Sequence, residues 1–132
     1  MLIHPLVGHF PIALWLTSTS FDLMAWRRED PALWRAAYWL VGLGILGAAM
    51  SIAFGWLDLL AQEAQGVGTE LLIRHLVHSM MAHCASACYL VDFAWRRRTG
   101  NRFGKSLLAL SILGAVLIAI TGYLGGAPRN VM

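Results

Sequence analysis

The chain has 132 residues, of which 58% are hydrophobic and only 13% charged, with a formal net charge of +3. That length suits a single domain, 1–132, and the charged fraction falls well below the roughly 25% of ordinary soluble proteins, which argues against a water-soluble globule. The basic balance does not indicate a nucleic-acid site either, because the arginines gather in short stretches between apolar runs, where a membrane protein keeps its orientation signal.

The apolar residues form four runs of roughly 20 residues or more, each long enough for a helix to cross about 30 Å of hydrocarbon. The expected fold is therefore all-α, a bundle of four transmembrane helices. The first span, about 6–26, begins near Pro5 and Pro11, which a helix tolerates best in its first turn, and places His9 close to a membrane surface. The residues before it lack a basic n-region and a small-residue cleavage site, so it is expected to be a retained span and not a signal peptide. Arg27-Arg28-Glu29-Asp30-Pro31 reads as a tight polar turn leading to the second span, about 33–60. Gly42, Gly44, Gly47, Ala48 and Ala49 within that span predict close helix approach.

The connection from Ala61 to Glu70 carries no Lys or Arg, whereas Arg96-Arg97-Arg98 to Lys105 and the first turn are basic. The positive-inside rule puts both basic turns in the cytoplasm and both termini on the periplasmic or exterior side. Trp26, Trp34, Trp56 and Trp95 are expected as interfacial anchors, and Trp15 and Trp39 as deeper packing residues. The third span, about 71–95, is anomalous because it holds Arg74, His75, His78 and His83, and ionisable residues inside a span mark a bundle interior or a wet cavity. Asp22 and Asp92, each about one turn from arginines, read as interfacial ion-pair partners in preference to a proton relay. Cys84 and Cys88 read as small packing residues, and no Cys-x-x-Cys-His is present for covalent haem attachment. The fourth span, about 106–124, has no ionisable side chain.

Ala25-Trp26-Arg27-Arg28 recurs as Ala94-Trp95-Arg96-Arg97, and the same shift lays His9 upon His78. Ile45-Leu46-Gly47-Ala48 recurs as Ile112-Leu113-Gly114-Ala115, and Gly55-Trp56-Leu57 as Gly122-Tyr123-Leu124, at nearly that shift. The halves read as duplicated helical hairpins related by a pseudo-two-fold axis along the membrane normal.

All five histidines fall in the half of the bundle away from the basic turns. Arg74, His78 and Met81 share a helical stripe with His75 at its edge, whereas His83 projects about 140° from His78 at about 100° per residue. Two imidazoles facing each other across a bundle, beside small residues that leave an apolar slot, are the arrangement that ligates a b-type haem from both axial sides. His9 and His78 are the expected ligands, with Arg74 placed to pair with the propionates. Such a haem, six-coordinate and low-spin, suits electron transfer, so the expectation is a cytochrome b-like electron-transport subunit that is not an enzyme alone. It would exchange electrons with quinone or with a larger redox complex. Two alternatives stand beside it. His4, His9, His75, His78, His83 and Asp58 offer weaker ligands for a copper or zinc site, with Met80 and Met81 suited to cuprous ion. The chain also reads as a structural subunit, or a homo-oligomer, packing through its small-residue faces.

The opening His4-Pro5-Leu6-Val7-Gly8-His9-Phe10-Pro11-Ile12-Ala13-Leu14, followed by Phe21-Asp22, resembles a family of predicted bacterial four-helix inner-membrane proteins of unknown function. Gly55-Trp56-Leu57-Asp58, a histidine early in the third span and Gly122-Tyr123-Leu124-Gly125-Gly126 extend the resemblance over nearly the whole chain. It implies an inner-membrane location and a suspected redox role, with no activity attached. The chain departs from that pattern after Gly126, where Ala127 to Met132 stand in place of a longer Val- and Gly-rich tail that often carries a histidine, so no ligand is expected there.

Overall fold

The computed structural model describes residues 3–66, 68–100 and 104–126, without the side chains of residues 3–6 and 62. His4 therefore has a place in a helix, but its side chain lies outside the described residues. Four helices and no strand are found among the described residues: α1 (Ile3–Arg28), α2 (Pro31–Ala64), α3 (Thr69–Arg98) and α4 (Lys105–Gly126). Each runs beyond the span expected from its apolar residues. Polar residues at helix ends continue the backbone hydrogen bonding after the apolar stretch has stopped, and the 34 residues of α2 carry it past Asp58 to Ala64. The turn between α1 and α2 is closed by Asp30, whose Oδ1 accepts a 2.8 Å hydrogen bond from the Ala32 N–H, with Pro31 in the first helical position.

α1 packs mainly on α2 and α3 mainly on α4, while α1 also meets α4 and α2 meets α3. The two hairpins thus stand side by side with α1 and α3 on one diagonal of the bundle and α2 and α4 on the other. The centre is built on Trp15, fully buried, whose ring stacks on Tyr89 at 4.3 Å and 14°. The Trp15 indole Nε1 donates to the Val41 carbonyl at 3.2 Å, which satisfies its polar atom inside the bundle. That ring lies where a side chain at Gly44 would stand, and the Tyr89 ring passes 2.9 Å from the place of a Cβ on Gly114. Gly44→Ala is accordingly expected to destabilise the protein by about 1–3 kcal/mol or more, as overpacking of a rigid core does. Thermal unfolding in detergent checks this, and an unchanged midpoint would contradict the packing described.

Trp39 departs from expectation: it is 67% exposed and faces outward, because its position on α2 falls on the side away from α1 and α3. Cys84 is exposed and Cys88 half-buried, both as free thiols, so only Cys88 takes part in packing.

Polar groups are concentrated inside. Ser18, Thr19, Asp22, Asp92, Arg96, Ser111 and Thr121 are buried, whereas much of the outer face consists of large apolar side chains such as Phe10, Leu46, Leu57, Met80, Val116 and Tyr123. At the end of the bundle where α1 finishes, Arg96 of α3 reaches across to α1. Its Nη1 and Nη2 donate to the two Asp22 carboxylate oxygens at 3.0 and 2.6 Å, and its Nε donates to Asp92 Oδ2 at 2.9 Å. Ser111 of α4 donates to Asp22 Oδ2 at 2.7 Å, so one cluster fastens three helices. Ion pairing of both aspartates was the expectation, but all three charged side chains have 0% exposure and do not sit at the surface. Asp22 takes its partner from the other hairpin and not from the adjacent Arg27, which is exposed.

Candidate functional site

At the opposite end of the bundle, where α1 begins and α2 finishes, the helices splay around a cavity of about 380 Å³. Its size falls in the range of small-molecule pockets, roughly 300–1,000 Å³. All four helices line it. α1 contributes His9 and Trp15, α2 contributes Ser51, Gly55 and Asp58, α3 contributes Arg74, His75 and His78, and α4 contributes Thr121, Gly122 and Gly125. The stripe on α3 follows helical spacing, with His75, His78, Ser79, Ala82 and Ser86 turned to the cavity on successive turns. His9 and His78 reach it from the diagonal pair α1 and α3.

His78 is the most constrained of the histidines in the cavity. Its Nδ1 lies 3.1 Å from the Thr121 carbonyl, which can only accept, so Nδ1 carries the hydrogen of that bond. This is the way a metal-binding imidazole is usually oriented, with one ring nitrogen anchored to a carbonyl or carboxylate and the other turned to the metal. The ring stands against α4 because Gly125 has no side chain: a Cβ there would lie 2.8 Å from His78 Cε1. His9 is exposed in the isolated chain although it lines the cavity, while His75 and Asp58 are half-buried in its wall. Arg74 Nη2 pairs with Glu70 at 2.8 Å, with side-chain exposures of 57% and 81%, which puts a solvated guanidinium on the outer side of the cavity.

His83 is not part of this wall. It is exposed, donates from Nδ1 to the Ser79 carbonyl at 2.6 Å, and meets the Trp56 ring edge-on at 6.3 Å, as its angular offset from His78 requires. Met80 is 62% exposed and faces outward, so it is no candidate for a cuprous ligand in the cavity. Among the described residues no three of His, Cys, Asp and Glu converge on a point that would hold a metal ion. His9, His75, His78 and Asp58 are spread around the cavity wall, and His83 lies outside it.

Sequence reasoning missed three parts of the site: the Thr121 carbonyl that anchors His78, the space at Gly125 that admits its ring, and the Trp15 wall. The Gly-rich end of the fourth span was a visible signal, but nothing in the sequence connects it to a particular imidazole.

The family comparison bears on where this bundle resides. Residues 2–130 match the model of a family described as "Predicted membrane protein (DUF2231)". The chain belongs to that family. Its membership agrees with α2 and α4, which are long and apolar enough to cross a membrane, with mean hydropathy over their most apolar 18 residues of 2.0 in α2 and 2.3 in α4. α1 and α3 do not reach that level among the described residues, since they carry Ser18, Thr19, Asp22, Asp92 and Arg96, all buried inside the bundle. No curated protein and no solved structure matches the chain.

Proposed function

We propose that this member of the membrane family is an electron-transfer subunit that holds one b-type haem between His9 and His78. The observation that carries the reading is that two imidazoles from diagonally opposed helices line one cavity, with the His78 ring anchored through Nδ1. Haem needs no more than two protein nitrogens, fewer than the cluster of three or more His, Cys, Asp or Glu that is lacking among the described residues. Gly55, Gly122 and Gly125 line the cavity without side chains, Gly125 admitting the His78 ring itself, and the solvated Arg74 offers a partner for the haem carboxylates. The haem would supply one-electron exchange. The chain would hold it through His9 and His78 and exclude water with Trp15 and Ile118.

In this reading all four helices cross a bacterial inner membrane as two duplicated hairpins, with the haem near the periplasmic face. Much of the outer face of the bundle is apolar while Asp22, Asp92 and Arg96 of α1 and α3 are buried inside, which suits a lipid-facing bundle. The electron partner is a quinone or another redox protein.

An optical spectrum of the purified protein tests the proposal. A low-spin b-type α-band on dithionite reduction is expected, and protein purified from haem-sufficient cells without such a band would refute it. Gly125→Ala, which drives a methyl group against the His78 ring, is expected to weaken haem binding by about 10–100-fold in a haem titration.

A further inference from the structure

The Asp22–Arg96–Asp92 cluster has no part in the haem reading, yet it is the largest charged group sealed inside the bundle. From its geometry we infer that it is a proton-binding site, with the proton carried on Asp92. Two carboxylates share one guanidinium, and all three side chains have 0% exposure. With both aspartates ionised the cluster holds one negative charge in excess, in an interior closed to bulk solvent. A buried carboxylate in that position is neutralised by binding a proton.

Among the described residues, the remaining charged groups at this end do not supply the missing positive charge. Arg27 and Arg28 on α1, Arg35 on α2, Arg97 and Arg98 on α3 and Lys105 on α4 are all exposed, and among the described residues none bonds either aspartate.

The hydrogen bonds identify which carboxylate takes the proton. Asp22 accepts two short bonds from Arg96, at 3.0 and 2.6 Å, and a third from Ser111 at 2.7 Å. Behind Ser111 stands a row of hydroxyls, Thr19 at 2.9 Å from Ser111 and Tyr89 at 3.2 Å from Thr19, able to align toward Asp22 and reinforce its negative charge. Asp92 accepts one short bond, from Arg96 Nε to Oδ2 at 2.9 Å, while its Oδ1 has only the long 3.4 Å contact with Nη2. Oδ1 is therefore the atom that binds the proton. Hydronium at the basic end of the bundle gives it up, an O–H bond forms on Oδ1, water is released, and the cluster passes from one net negative charge to none.

Infrared spectroscopy of the whole protein in lipid nanodiscs tests this. A carbonyl band of a protonated carboxyl is expected at neutral pH, shifting in D₂O and lost in Asp92→Asn but kept in Asp58→Asn. The amide of Asp92→Asn imitates the neutral acid, so that variant should unfold at the wild-type temperature while Asp22→Asn unfolds well below it. A wild-type protein with no such band, a band that survives Asp92→Asn, or an Asp92→Asn variant as unstable as Asp22→Asn would each overturn the inference. None of these readouts depends on haem.

Discussion

Arg96→Met is expected to destabilise the protein by about 3–5 kcal/mol, the usual cost of removing one partner from a buried ion pair. The guanidinium makes four hydrogen bonds to two carboxylates and joins α3 to α1, so its loss leaves Asp22 and Asp92 facing each other without a cation. Even with the proton on Asp92, the buried Asp22 carboxylate loses its counter-ion, and the bridge between the hairpins is gone. Denaturant or thermal unfolding in detergent measures the loss, and a change below about 1 kcal/mol would mean that the cluster does not hold the halves together. Replacing all three charges with apolar residues of similar volume should recover much of the stability, because buried ion pairs are often no better than well-packed hydrophobic contacts. That pair of results separates the pairing of charges from the filling of space.

His78→Ala and His9→Ala are each expected to abolish the low-spin α-band, since one remaining imidazole cannot keep the iron six-coordinate. His78 should be the more severe, because its ring is held by the Thr121 carbonyl and packed against α4, whereas His9 is exposed in the isolated chain. His83→Ala should leave the band unchanged, as this side chain lies outside the cavity and bonds to its own helix. Spectra of the purified variants, each at known haem-to-protein ratio, decide the matter. If His83→Ala removed the band while His78→Ala kept it, the ligand pair would be wrong even with haem bound.

The four helices, their order and the gathering of histidines at one end were legible in the residue types, because apolar runs and polar turns act locally. It also put His78 and His75 on one stripe of α3 and His83 off it, since that follows from helical spacing alone. What depended on neighbours in space was left open. The repeats Ala25-Trp26-Arg27-Arg28 and Ala94-Trp95-Arg96-Arg97 are identical, yet Arg27 is exposed and Arg96 fully buried. Asp92 precedes Arg96 by four residues and shares its face of α3, so the two pair and turn inward together. Asp22 precedes Arg27 by five, which puts them on different faces of α1 and leaves Asp22 to the arginine of the other hairpin. In the same way the fold, and not the Gly-rich sequence, brought Gly125 and the Thr121 carbonyl against His78, because only the packing of α3 on α4 fixes which glycine faces which ring.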